Sequence, residues 1–249
     1  MIFCFSGTGN SLYAAKRIAE STDDKIMEIC EDNINDTEYN LENGERLGFI
    51  MPTYWGSMPK IAEKFIRNLK FNNVTNNYVY VVGTYGINEC NIVKDVTKLL
   101  RSKGIIVKGG FAVKMVDNYV VAYDIADKEK QQSILNDAEK EITEAVKCIN
   151  DRKSFIKENK SFLSFVSPVS YKLYKTIDHT KKFYADDKCV GCSMCEKNCP
   201  CNVITVSDGK VTWDGDCSFC LKCINTCPKE SIQFGKKTVK RRRYKNPNL

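Results

Sequence analysis

The stretch Ile2-Phe3-Cys4-Phe5-Ser6-Gly7-Thr8-Gly9-Asn10-Ser11 decides how the chain is read. Its first four residues are apolar without interruption, the mark of a short strand buried on both faces. The run breaks on glycines and hydroxyls, and from about Asn10 to Glu20 apolar residues recur with helical period. Strand, polar turn and helix predict one unit of an α/β sheet. Outward from it, strands are expected at Lys25 to Ile29, Arg46 to Met51, Asn77 to Gly83 and Ile105 to Val113, with helices near 59–69, 89–103 and 129–149. That alternation predicts a doubly wound parallel sheet over residues 1–150.

The turn Ser6-Gly7-Thr8-Gly9-Asn10-Ser11 has the chemistry of an anion cradle. Glycines let the backbone approach, hydroxyls donate hydrogen bonds, and the helix that follows offers its positive end. A nucleotide P-loop would need a Gly-Lys-Ser/Thr ending, which this turn lacks. A dinucleotide fingerprint would need a small residue where Leu12 stands, although Glu28 lies at the expected distance for a ribose contact. That reading stays open, as does a purely structural glycine turn.

The 13 cysteines of the 249-residue chain could suggest a disulfide scaffold. Such scaffolds belong to chains too small to build a core, and 43% hydrophobic residues here suffice for one. Eight cysteines fall into two copies of C-x2-C-x2-C-x3-C-P: Cys189, Cys192, Cys195, Cys199 before Pro200, and Cys217, Cys220, Cys223, Cys227 before Pro228. Ile204 and Val206 are matched in register by Ile232 and Phe234. Three thiolates two residues apart can wrap three corners of a cubane, while the fourth points towards the other cluster. The expected sets are therefore Cys189, Cys192, Cys195 and Cys227 for one 4Fe–4S cluster, and Cys217, Cys220, Cys223 and Cys199 for a second. A zinc site is the competing reading, since paired thiolates also bind zinc. Cys201 is an extra thiol, read as a small buried residue.

Residues 184–235, with all eight cysteines and both prolines, resemble the two-cluster bacterial ferredoxins. The first turn, reading hydroxyl-x-Thr-Gly-x-hydroxyl after the first strand, resembles the FMN phosphate loop of flavodoxins. Together the halves resemble the flavodoxin-ferredoxin fusion family of anaerobic microbes. The resemblance implies a flavodoxin-like α/β domain followed by a small α+β ferredoxin-like domain, binding FMN and two 4Fe–4S clusters. It assigns the phosphate to Ser6, Gly7, Thr8, Gly9, Asn10 and Ser11. It assigns one flavin face to Pro52, Thr53, Tyr54, Trp55 and Gly56, and the other to Thr84, Tyr85, Gly86 and Cys90. By the same resemblance the Gly56 peptide can turn to hydrogen-bond flavin N5. Ser57 departs from the family, which often has an acidic residue there. Met115, Asn118 and Tyr119 after the last strand could also face the flavin or equally begin a surface loop.

Residues 151–183 are expected to be a linker whose short helix packs on the interdomain surface, with Phe162, Phe165, Tyr171 and Tyr174 among its aromatics. His179, the only histidine, is expected to be a polar linker residue. The net charge of +7 concentrates in residues 236–249, expected to be a solvated basic tail that could steer an acidic redox partner. Aromatics and a basic tail could also serve a nucleic acid, but no recognisable binding fold accompanies them, so no nucleic-acid partner is expected. No apolar run reaches the length of a membrane span, and no signal peptide precedes the first strand, so a cytoplasmic protein is expected. The function expected is electron transfer between FMN, the clusters and a protein partner. The alternatives are a flavin-dependent reductase acting on its own small substrate and a redox sensor. Whether the chain is an enzyme, and its oligomeric state, are left undecided.

Overall fold

Strand alternation sorts the core into two layers. Ile2 and Cys4 face one side of the first strand and Phe3 and Phe5 the other, and Tyr78, Tyr80 and Val82 oppose Val79 and Val81 in the same way. The structure is a computed structural model in which residues 1–35, 38–72, 76–157 and 161–249 are described. Its N-terminal half runs β1 (Ile2–Cys4), α1 (Asn10–Thr22), β2 (Ile26–Glu28), β3 (Glu38–Asn40), β4 (Arg46–Pro52), α2 (Lys60–Asn68), β5 (Lys70–Asn72), β6 (Tyr78–Tyr85), α3 (Ile92–Arg101), β7 (Val107–Lys114), α4 (Lys128–Asn150), β8 (Phe155–Ile156) and α5 (Leu163–Thr176). The C-terminal part follows with β9 (Phe183–Ala185), α6 (Met194–Lys197), β10 (Ile204–Ser207), β11 (Lys210–Trp213), α7 (Lys222–Thr226) and β12 (Ile232–Phe234).

Among the described residues the main sheet is parallel, in the order β2-β1-β4-β6-β7-β8, while β3 and β5 form a separate pair. Counting only main-sheet strands, the first five lie in the order 2-1-3-4-5, the flavodoxin-like doubly wound topology. Helices α1 and α4 cover the Ile2 and Tyr80 face, through Ala14, Ile18, Leu135 and Ile142. Helices α2 and α3 cover the Phe3 and Phe49 face, through Phe65, Ile66, Val96 and Leu100. The expected strands are all present, and the sheet gains β8 from the segment expected to be linker. Of that segment, 158–160 lie outside the described residues.

In the C-terminal part β10 pairs with β11 and β12 pairs with β9, both antiparallel, so the two matched repeat strands are real. This part packs directly on the sheet domain. The Lys60 and Ile61 N–H groups at the start of α2 lack a side-chain cap of their own and donate instead to Tyr174 Oη (3.2 Å) and Ser218 Oγ (3.1 Å). The Tyr174 hydroxyl in turn donates to the Ser218 carbonyl at 2.7 Å. Lys60 pairs with Asp216 across the same seam.

Two expectations are corrected. His179 is buried rather than a polar linker residue: its ring stacks on Phe219 at 4.5 Å, and Nε2 lies 2.9 Å from the Tyr174 carbonyl. The C-terminal tail is not frayed. Arg241 and Arg243 donate to the Val120 and Thr238 carbonyls, Arg242 pairs with Asp124 at 2.9 Å, and Tyr244 and Asn246 are buried. Its three arginines are used in folding, because each finds a carbonyl or carboxylate of the protein within reach.

Candidate functional site

In an open parallel sheet the strand carboxyl ends form a crevice where the order reverses. Here the loops after β1, β4, β6 and β7 meet around a cavity of about 450 Å³. Of the residues expected to bind the cofactor, Ser6, Gly7, Thr8, Asn10, Ser11, Pro52, Thr53, Tyr54, Trp55, Gly56, Thr84, Tyr85, Gly86 and Cys90 all line it. Gly9 does not, because its α-carbon is packed against Asn246 and Leu249 of the tail. The wall carries no Lys or Arg, and one acidic residue, Asp117, whose carboxyl is pushed up by burial although it accepts the Tyr119 N–H.

The first loop is held by its own polar groups. Ser11 and Thr84 share a hydroxyl–hydroxyl hydrogen bond of 2.7 Å, and Ser6 Oγ accepts the Gly9 N–H at 3.1 Å. Asn10 differs from its expected part. Its Nδ2 donates to the Val116 carbonyl, and its Oδ1 accepts Tyr244 Oη and Asn246 Nδ2, so its side chain fixes the loop from behind. The start of α1 faces the cavity, where unpaired N–H groups and the helix dipole favour an anion.

The second loop is a tight turn. Tyr54 and Ser57 exchange both backbone hydrogen bonds, with Trp55 and Gly56 between them at φ 50° and 86°. Trp55 stacks on Tyr174 of α5 at 6.1 Å, while Ser57 turns away from the cavity to Asp95 at 2.6 Å. The Gly56 carbonyl accepts the Asn91 N–H at 2.9 Å, so the peptide turn implied by resemblance would have to break that bond.

Two further parts complete the wall. Met115, Asn118 and Tyr119 line the cavity, with Asn118 Nδ2 donating to Thr8 Oγ1. Their place after the last long strand was the signal. The other part is Phe219, Cys220 and Leu221 from the cysteine-rich half, for which local sequence carries no sign. Contact is close: a side chain at Gly7 would meet the Cys220 carbonyl at 2.7 Å.

All the cysteines are free thiols. Cys189, Cys192, Cys195, Cys223 and Cys227 line one small space, and Cys199, Cys201, Cys217, Cys220 and Cys223 line another. Among the described residues, no three His, Cys, Asp or Glu side chains are drawn around one metal ion. Cys223 borders both spaces, and Cys220 borders both the second space and the large cavity. The backbone repeats as well. Gly191 and Ser193 have φ of 67° and 55°, and Phe219 and Leu221, their equivalents, 52° and 57°. Left-handed residues on either side of the second cysteine bend the chain around each space, at a cost for Phe219 that glycine avoids. Burial pushes the Cys217 thiol up to about 12, and Cys220 and Cys223 well above their ordinary value. Thiols so placed lose their protons when a cationic centre binds them. Cys201 is buried beside the second set and pushed up to about 11 by burial.

No protein-family profile matches the chain. It is 38% identical over 50 residues to a ferredoxin of Methanothermococcus thermolithotrophicus, covering 18% of this chain and 83% of that protein. Among solved structures, the Trp repressor binding protein of Bacillus subtilis matches 64% of this chain and 100% of its own, at 14% identity and TM-score 0.39. The two-electron reduced flavodoxin of Megasphaera elsdenii matches 59% and 98%, at 16% identity and TM-score 0.35. For the rubredoxin oxygen oxidoreductase of Desulfovibrio gigas the shares are 60% and 36%, at 17% identity and TM-score 0.33, so this chain spans about a third of that one. The structural scores are too low to carry weight, and the N-terminal fold rests on its strand order. The ferredoxin match covers most of its relative, and the cysteine repeat agrees with it: the chain belongs to the ferredoxin family, fused behind a domain of flavodoxin topology.

Proposed function

We propose that the chain is a cytoplasmic electron-transfer protein that holds FMN in the large cavity and two 4Fe–4S clusters on the two cysteine sets. The observation that carries this reading is the pair of shared walls, Cys220 between the cavity and the second set, and Cys223 between the second set and the first. Three redox sites joined in this order form a relay.

The residues present suit FMN. A phosphate at the start of α1 would meet hydroxyls and N–H groups without a basic side chain, and Tyr54, Trp55, Tyr85 and Tyr119 supply aromatic surface for a planar ring. When bound, FMN exchanges one or two electrons and each cluster one, so the protein would couple two-electron to one-electron chemistry. The buried thiols of the second set suit a cationic iron centre. Exposed Lys236, Lys237, Lys240 and Lys245 support an acidic redox partner, because complementary charge raises encounter rates.

Anaerobic purification followed by iron, acid-labile sulfide and released-flavin assays tests the reading. Eight irons and one FMN per chain are expected. Zinc in place of iron, or clusters without flavin, would overturn the relay. A second reading, a flavin-dependent reductase with its own small substrate, is favoured by the exposed apolar rim of Ile87, Tyr123 and Leu163 on the cavity. Steady turnover of a small acceptor by the purified protein, with no protein partner present, would select it.

A further inference from the structure

Helix α5 is built inside out. Its polar side faces the protein: the Ser164 carbonyl and Ser167 Oγ accept Asn91 Nδ2 at 2.8 and 2.6 Å, and Ser170 donates to the Trp55 carbonyl at 2.9 Å. Tyr171 donates to the buried Glu63 carboxylate at 2.6 Å, and Tyr174 caps the start of α2. Pro168 fits this arrangement, since it has no N–H to claim the Ser164 carbonyl that Asn91 uses.

The apolar side faces out. Phe162, Phe165, Val166, Val169 and Leu173 follow the i, i+3, i+4, i+7, i+11 spacing of one helix face. Phe162, Phe165 and Val169 are 77%, 79% and 75% exposed. The helix is held through its serines and tyrosines, and Phe162 and Phe165 turn outward. The serine face is anchored by the hydrogen bonds above, and its fixed position forces the apolar face into water. A continuous exposed apolar stripe of this kind marks an interaction surface.

We propose that this face of α5 docks the protein on an anionic lipid surface. Charge is the first support. Residues 163–176 contain Lys172 and Lys175 and no acidic residue; Lys175 pairs with Glu63 at 3.2 Å, Lys181 pairs with Asp178, and Lys172 and Lys182 add to the local positive charge of a chain with net charge +7. Aromatic and aliphatic residues on one side with flanking lysines are the signature of an interfacial helix. Shape is the second support. The stripe lies along one helix about 21 Å long, and a lipid surface takes such a ridge without a matching patch. Among the described residues no helix is long and apolar enough to cross a membrane, so the contact is a lying one. Leu163, the first residue of α5, also lines the large cavity, so docking sets the cavity rim at the lipid surface.

Sedimentation of the full, cofactor-loaded chain with vesicles tests the proposal, comparing phosphatidylcholine mixed with phosphatidylglycerol against pure phosphatidylcholine. Binding to the anionic vesicles is expected, weakened severalfold by raised salt. Phe165→Ser with Val169→Ser should weaken it about tenfold or more, with iron and flavin contents unchanged, since both side chains are exposed. Protein that stays in the supernatant with anionic vesicles, or a double variant that binds as well as the parent, would overturn the proposal. So would a dimer in light scattering that the double variant abolishes, which would assign the face to a second copy.

Discussion

The hydroxyl of Tyr244 donates to the side-chain carbonyl of Asn10 across 2.7 Å, joining residues 234 positions apart. Asn246 reaches the same oxygen at 3.1 Å, and its backbone N–H donates to the Thr8 carbonyl at 2.9 Å. The last residues of the chain thus brace the loop at the start of α1. Tyr244→Phe removes one donor from a buried carbonyl, a loss of about 1 kcal/mol, and should weaken FMN binding about fivefold. Deleting residues 244–249 should weaken it further. Fluorescence titration of flavin into flavin-depleted protein measures both, and equal affinity in all three proteins would show that the brace has no bearing on the cofactor.

Gly56→Ala is expected to destabilise the protein by about 1–3 kcal/mol, because alanine is strained at φ 86°. Its methyl would also clash with Ser167 Cβ of α5. Adding Ser167→Gly removes the Cβ clash but leaves the strain and gives up the Ser167–Asn91 hydrogen bond, so it should restore only part of the loss in a denaturant titration. Full recovery would mean that the left-handed turn carries no cost here.

The buried ring of His179 titrates below its usual value of 6.5, chiefly through burial, with Lys60 acting in the same direction. The Tyr174 carbonyl, Asp178 and Asp216 oppose the shift. A histidine kept neutral in the fold contributes stability that is complete above its unfolded pKa and is lost as pH falls through about 6.5. Melting temperatures at about pH 7.5 and about pH 5.5 should therefore differ more in the parent than in His179→Gln. An identical difference in the two proteins would exclude the histidine as a source of acid sensitivity.

Cys201 and Cys223 border the same space, and the repeat pattern separates their roles. Cys201→Ala should retain the full iron content, whereas Cys223→Ala should lose about half, as one of two clusters fails to assemble. Iron analysis and paramagnetic resonance of the reduced proteins distinguish the cases. Equal iron loss in both would make Cys201 a ligand.

The strands of the sheet domain were legible because parallel strands covered on both faces read as unbroken apolar runs, and the observed ends of β4, β6 and β7 fall within about two residues of expectation. Strand β8 was not legible, since Phe155 and Ile156 are too few to show a period. Helical spacing marked α5 but could not say which side faced the protein, or that Phe162 and Phe165 turn outward. The cavity was read from glycines, hydroxyls and strand ends. Its closure by Phe219, Cys220 and Leu221 depends on packing between segments some 200 positions apart, which no local pattern encodes. The tail was misjudged for the same reason: a run of Arg and Lys signals solvation, while the burial of Tyr244 and Asn246 depends on Asn10 at the other end of the chain.

The loop after β1 and the residues that brace it lie 234 and 236 positions apart, so the ribosome releases them at well-separated times. Strands and helices of the first domain can collapse during synthesis, but the cradle stays unbraced until Tyr244 and Asn246 arrive. The braced cradle thereby exists only once Tyr244 and Asn246 have emerged, and a translation product that stops short of them would carry a loosened one.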